Sequence, residues 1–215
     1  KEQDAVSYTA KGNVLISEDG RIATCGKAIY KQTEQSTSLI INPEIRENKQ
    51  TISGKIIDLK YNNGVLENIY IPSGANVKTI TQGFKKHQKT SKNENNKLIL
   101  DFVNDLSGNS LKGFFDEGML DSLQLEGMAK THYHIFEDSI YQGENIASGD
   151  TIILQFYQND INKIIVHGGS RGEYKPDTVS SNIEGPISYS SEIIKYNVNA
   201  EETDLYGDAK IHYTN

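Results

Sequence analysis

The chain has 215 residues, a formal net charge of −7, and a composition that is 36% hydrophobic and 24% charged. Such values are typical of a globular protein with a buried core and exclude collagen-like and disordered chains. The negative charge disfavours nucleic acid as a partner, because phosphate binding requires clustered Lys and Arg. A single cysteine, Cys25, excludes an intramolecular disulfide and a cysteine-based zinc site.

Short apolar runs separated by Gly, Asn and Asp predict β-strands joined by tight turns. Segments 54–61, 149–157 and 191–196 each begin with small or polar residues and continue into an Ile-Ile strand. The sequences at 62–64 and 158–160 are typical of hairpin turns, since Asn, Asp and Gly accept positive φ at little cost. No segment has a sustained helical period, so the chain is predicted to be nearly all-β.

Residues 78–97 differ in composition from the rest of the chain. They contain six lysines and His87 among many Gln, Asn, Ser and Thr residues. This composition predicts a solvated polar insert.

Three stretches, 123–133, 164–174 and 203–213, align in one frame. Each has a glycine, then a small residue, a basic residue and a tyrosine at matching positions. The glycines are Gly127, Gly168 and Gly207, and the small residues are Ala129, Ser170 and Ala209. Recurring hairpins that cannot bury a face alone predict stacking into an elongated sheet structure.

Ser170 lies in a Gly-x-Ser-x-Gly pattern, which is typical of a hydrolase nucleophile elbow. An elbow requires a helix after the serine, but the sequence that follows has no helical period and contains Pro176. In the aligned stretches alanine takes the same position. We therefore predict a structural serine, no catalytic residues and no enzyme activity.

A period of two assigns side chains to the faces of the predicted strands. One face is predicted to be exposed to solvent and carries Asp58, Lys60, Thr151, Gln155 and Lys195. Apolar side chains occupy the opposite face, as a folded antiparallel sheet would require. The positions predicted to line the resulting apolar groove are Ile57, Leu59, Tyr61, Leu98, Leu100, Phe102, Leu123, Leu125, Ile152, Leu154, Phe156, Ile164, Val166, Ile194, Tyr196 and Val198.

One recurring strand pattern is G-x-Ile-Ile-x-φ-x-Tyr, followed by a turn and φ-x-φ-x-Gly-x-Ala-x-φ-x-Tyr, where φ stands for an apolar residue. This pattern resembles the OstA-like periplasmic domains of the lipopolysaccharide-transport (Lpt) family. The opening residues 8–17 are similar to that family's Gly-Asn-Val start, and residues 26–30 to its Ala-x-x-Tyr element. The resemblance covers about residues 8–213 and is weakest across 78–97.

The resemblance implies one elongated, open β-jellyroll over residues 1–215, built of V-shaped, stacked antiparallel strands. It implies a periplasmic protein, either free or attached to the outer membrane as part of a larger protein. Such a protein binds the acyl chains of lipopolysaccharide or a related glycolipid without a cofactor. It also implies association with other Lpt-type jellyroll proteins through edge strands, and head-to-tail self-association. The groove positions above come from strand parity alone.

Two alternatives stay open at this point. The first is a structural or surface β-repeat protein that binds partners and has a fully packed core. The second is a cupin-like metal protein, because Gly127, His132, His134, Glu137 and Gly143 approximate a cupin metal motif. Every spacing outside His-x-His is one residue short, so His132 and His134 are weak candidates and no metal site is predicted.

Overall fold

A computed structural model describes residues 6–213 other than 19, 87–98, 159, 199 and 201. Every regular element in these residues is a β-strand. The strands are β1 (Ser7–Glu18), β2 (Arg21–Lys31), β3 (Ser36–Ile40), β4 (Glu44–Glu47), β5 (Gln50–Ser53), β6 (Ile56–Asn62), β7 (Val65–Ile71), β8 (Ala75–Phe84), β9 (Ile99–Gly108), β10 (Ser110–Asp116), β11 (Met119–Glu137), β12 (Ile140–Tyr157), β13 (Asp160–Pro176), β14 (Ile187–Asn197), β15 (Glu202–Tyr206) and β16 (Lys210–Tyr213). Within this described part of the chain, no helix is long and apolar enough to cross a membrane.

All sixteen strands belong to one sheet. Long strands next to short ones pair with different short strands along their two halves: residues 27–31 of β2 pair with β3, whereas 21–24 pair with β4. Likewise, residues 193–197 of β14 pair with β15, whereas 187–190 pair with β16. The sheet is therefore folded along a line that crosses its long strands.

The fold line divides the sheet into two layers. Layer 1 contains β3, β6, β7, β10 and β15, and layer 2 contains β4, β5, β8, β9 and β16. The long strands β1, β2, β11, β12, β13 and β14 contribute one half to each layer. Apart from one parallel bridge between Ile140 and Phe84, the strand pairings of the described residues are antiparallel. The prediction of an all-β, open jellyroll of V-shaped antiparallel strands is confirmed.

Left-handed backbone conformations mark the fold line, which we call the crease. The ladders on either side shift register there, for example between Glu126 and Ala129 and between His167 and Ser170. Such bulges bend a strand sharply. Consecutive residues with positive φ occur at Ile41 and Asn42 (67° and 50°), Gly127 and Met128 (73° and 51°), Gly168 and Gly169 (78° and 61°), and Gly207 and Asp208 (70° and 38°).

Three crease glycines also lie directly beneath a polar side chain from the neighbouring part of the sheet. The pairs are Gly127 with Asn109, Gly168 with Asp150, and Gly207 with Glu192. A Cβ on any of these glycines would overlap the side chain above it. Both the positive φ and the close approach therefore require glycine at the aligned position of the three related stretches.

The core lies between the two layers and is asymmetric. Layer 1 contributes large aliphatic side chains with almost no exposure, among them Leu39, Ile57, Ile71, Leu111, Leu125, Ile152 and Leu154. Layer 2 contributes mainly smaller or polar buried side chains, among them Ala23, Ala75, Ala129, Thr131, Asn145, Ala147 and Ser170. Small side chains on one face let the large ones of the other face interdigitate at the density of a protein interior.

Part of the polar segment predicted as an insert over 78–97 is a β-strand. Residues 78–84 continue β8 and pair with β9, so this part of the prediction is wrong. The half-buried positions Thr79 and Thr81 of β8 are polar, which hides the strand from a search for apolar alternation. Residues 87–98, including His87, lie outside the described residues.

Truncation of a layer 1 side chain tests the placement of the core. We expect Leu154→Ala to lower the free energy of unfolding by about 2–5 kcal/mol, because it leaves a cavity at a position that is 1% exposed. Gln155→Ala, one residue further on the exposed outer face, should change it by only about 0.5 kcal/mol. Urea unfolding of both variants measures the difference, and equal effects would contradict the assigned faces.

Candidate functional site

The interior between the layers gathers most of the residues predicted to line a groove. Tyr61, Phe156 and Tyr196 are half-buried and pack against the edge of the core. The predicted positions that are buried within the core are Ile57, Leu59, Leu123, Leu125, Ile152, Leu154, Ile164, Val166 and Ile194. All of these residues belong to layer 1, which forms a continuous apolar surface from β6 to β14.

Other predicted groove residues lie elsewhere. Phe102 is half-buried in an aromatic cluster on layer 2, where its ring centroid is 5.1 Å from those of His134 and Phe136 and 5.0 Å from that of Tyr141. Leu100 is half-buried on the same strand. Val198 lies in the turn after β14, where its amide donates to the carbonyl oxygen of Asn162 at 3.0 Å. Leu98 is outside the described residues.

Several interior residues were not predicted. Leu39, Ile69, Ile71 and Leu111 are at most 2% exposed and extend the apolar surface of layer 1. Their alternation in short strands was a usable signal. The polar lining of layer 2, namely Thr131, Asn145, Ser170 and Ser191, gave no such signal, because polar residues at these positions resemble solvent-facing ones.

Tyrosines of both layers meet inside the fold near β14. The ring of Tyr133, on the layer 2 half of β11, lies 6.1 Å from that of Tyr196, on the layer 1 half of β14, so this contact joins the two layers. Tyr189 and Asn145 exchange two hydrogen bonds: the Asn145 amide donates at 2.8 Å and the Tyr189 hydroxyl donates at 2.9 Å. Burial raises the pKa of both Tyr133 and Tyr189, which keeps these phenols neutral.

Both ends of the folded sheet are open. β1 pairs only with β2, and nearly all of its residues are exposed. At the opposite end, β15 and β16 pair only with β14. Among the described residues, no strand covers the outer edge of either end. Each end therefore presents backbone donors and acceptors to a further strand.

A cleft of ≈ 780 Å³ lies beside the second of these ends. Its lining includes the cations of Arg171 and Lys210 together with the carboxylate of Glu173. The mixture of charges gives the cleft no uniform preference for an anion or a cation.

Ser170 has a structural role in the crease. Its side chain is 1% exposed, and its hydroxyl donates to the carbonyl oxygens of Val166 at 2.9 Å and Glu192 at 3.1 Å. These bonds satisfy backbone acceptors where the ladder between β13 and β14 shifts register. The hydroxyl is thus committed to the backbone and is closed to solvent.

His132 and His134, the weak metal candidates, lie on the face of β11 opposite Tyr133. The Nε2 atom of His132 is 2.9 Å from Oε2 of Glu144 on the neighbouring strand. Glu137, the carboxylate of the cupin-like spacing, is exposed beside the hairpin turn and does not join them. Burial, reinforced by His132, lowers the pKa of His134.

Comparisons with known proteins find likeness in structure and none in sequence. No protein-family model matches the chain, and no curated protein matches its sequence. Among solved structures, the chain is similar to LptH of Pseudomonas aeruginosa, described as the LptA-homologous periplasmic component of the lipopolysaccharide transport device. That similarity covers 98% of this chain and 96% of LptH, with 8% sequence identity and a TM-score of 0.37.

Removing the Tyr189 hydroxyl tests the polar pair inside the interior. We expect Tyr189→Phe to lower the free energy of unfolding by about 1–3 kcal/mol, because it leaves the amide of Asn145, 8% exposed, without its partner. Tyr157→Phe, at a residue that is 66% exposed, is the matched control and should change little. Thermal and urea unfolding measure both, and a neutral Tyr189→Phe would show that water replaces the lost bond.

Proposed function

We propose that this protein binds the acyl chains of lipopolysaccharide, or of a related glycolipid, between its two layers and passes the lipid along the sheet. The observation that carries the proposal is the continuous apolar surface of layer 1, which runs from β6 to β14 inside a sheet open at both ends. The family resemblance of the strand motifs supports the same function. Transfer of an acyl chain into such an interior is favourable by about 0.8 kcal/mol for each buried methylene.

In this proposal, lipid enters where the side chains at the edge of the core are most exposed to solvent. Phe156, Tyr196 and Leu205 are only half-buried and pack at the edge of the core near the second open end. Further inside, Ile152 and Leu154 are at most 1% exposed, so the two layers are in contact there. Binding therefore requires the two layers to move apart about the crease.

We infer a periplasmic location and no enzyme activity. In that compartment, the exposed edge of β1 on one copy would pair with the β15–β16 edge of the next copy or of another Lpt-type jellyroll protein. Such pairing satisfies backbone groups that are otherwise open at both ends. Stacked copies would then extend the apolar interior from one protein to the next. Attachment to the outer membrane as part of a larger protein is compatible with the same edge pairing.

A packed β-repeat protein that only binds partners is the second candidate. It is favoured by the complete burial of Leu39, Ile57 and Leu125 between the layers. In that case the layers stay closed and the interior serves stability alone. The two candidates differ in whether lipid reaches inward-facing side chains.

Photo-crosslinking distinguishes these candidates. We expect a photoreactive phenylalanine analogue at Phe156 to form adducts with lipopolysaccharide, because this side chain faces the interior at its half-buried edge. The analogue at Tyr157, the exposed neighbour on the opposite face, is the matched control and should form none.

A second pair of positions repeats the comparison on β14. Tyr196 faces the interior, whereas Lys195 lies on the outer face with its ammonium 4.7 Å from the ring centroid of Tyr206. Adducts at Phe156 and Tyr196 alone would support the lipid-binding interior. Equal adducts at inward and outward positions, or none in the folded protein, would refute it in favour of the packed β-repeat protein.

Self-association tests the proposed pairing of edges. Ile211 is 69% exposed on β16, and Ile211→Lys places a charge on the outer edge, as natural edge strands do to prevent pairing. We expect about tenfold weaker self-association, equivalent to about 1.4 kcal/mol. Sedimentation velocity across a concentration series measures it. Val65→Lys, at an exposed residue of the β6–β7 hairpin, is the control, and an equal loss in both variants would argue against edge pairing.

A further inference from the structure

Three side chains with metal-binding atoms converge on the face of layer 2 that points away from the core. His132 and His134 are two residues apart on β11 and therefore share a face, and Glu144 pairs directly with His134 across the ladder to β12. The potential ligand atoms of the three residues all lie within 4.8 Å of one another. Their placement depends on strand pairing, which is why Glu144 rather than Glu137 completes the group.

Asn104 holds one of these histidines in a defined orientation. Its Oδ1 accepts the backbone N–H of His134 at 2.9 Å and lies 3.0 Å from Nδ1 of the same residue. Its Nδ2 donates to the hydroxyls of Thr79 and Thr81, which fixes which end of the amide faces His134. An oxygen acceptor at Nδ1 places the proton there and leaves the lone pair of Nε2 free. Histidine ligands of metals are commonly oriented by such a second partner.

The two carboxylate oxygens of Glu144 face different neighbours. Oε2 lies 2.9 Å from Nε2 of His132, whereas Oε1 lies 3.9 Å from the ammonium of Lys175. The side chains of His132 and Glu144 are 33% and 27% exposed, so an ion can reach them from solvent. A cation that replaces the hydrogen bond to His132 can therefore bind the oxygen that faces the histidines, while the other oxygen is balanced by lysine.

We propose that His132, His134 and Glu144 bind a divalent transition-metal ion of the zinc type. Two imidazoles and one carboxylate form a ligand set that zinc accepts at about 2.0–2.2 Å from each atom, with water in the fourth position. Small side-chain rotations bring atoms within 4.8 Å of one another to such a centre. The bound ion replaces the hydrogen bond between His132 and Glu144 and ties β11 to β12 beside their hairpin turn.

Zinc titration of the full chain, after dialysis against a chelator, tests the site independently of lipid binding. We expect saturable binding of one ion per chain by isothermal titration calorimetry, and Co²⁺ in place of zinc should give the intense visible absorption of a four-coordinate centre. His134→Gln and Glu144→Gln should each weaken zinc binding at least about tenfold. His167→Gln and His212→Gln, which alter histidines outside the group, are the matched controls.

The role of Asn104 gives a second readout. Asn104→Ala should weaken zinc binding by about 10–100-fold, because it frees the ring of His134 to rotate. Unfolding curves in chelator separate this effect from a loss of folding, and circular dichroism confirms the fold of each variant. Absence of saturable binding at one ion per chain would overturn the proposal. So would equal affinity in His134→Gln and His167→Gln, since binding would then lie elsewhere on the chain.

Discussion

Positive φ angles at Gly127, Gly168 and Gly207 set the shape of this protein, because each one bends the sheet at the same level as its neighbours. A bend in one strand alone would break its ladder, but bends aligned across paired strands preserve the hydrogen bonds on both sides. Ser170 satisfies the backbone where the ladder shifts. The two layers, their shared core and the open ends all follow from this single aligned crease.

The crease also makes the two inner faces different. Layer 1 contributes most of the large aliphatic residues, whereas layer 2 meets them with Ile45, Val77 and Leu106 among alanine, threonine, serine and asparagine side chains. A ligand between the layers would therefore contact a hydrocarbon surface on one side and a mixed surface on the other. Tyr133 and Tyr196 already bridge the two surfaces at one end, with a ring on each layer. Such an interior suits a molecule that has both apolar chains and polar linkages.

The same asymmetry explains what the sequence could predict. Alternating apolar residues at 152–156 and 164–166 identified the inner face of layer 1 correctly. In β12 the inward positions change from even numbers at Ile152 and Leu154 to odd numbers at Asn145 and Ala147, because the ladder shifts at the crease. A period of two cannot be carried across such a shift. The pairing of His134 with Glu144 was hidden for a related reason, since cross-strand register depends on the β11–β12 hairpin rather than on spacing along the chain.

Because the stack of strands is open at both ends, the length of the sheet along the stacking direction can vary while the rest of the fold stays the same. Neighbouring strands lie about 4.8 Å apart, so each hairpin that crosses the crease adds nearly 10 Å along the stacking direction. Because a hairpin contacts mainly the strands on either side of it, adding or removing one would leave distant contacts unchanged. A protein built in this way is a molecular ruler. Its span follows from the number of creased strands it contains, while its cross-section stays constant.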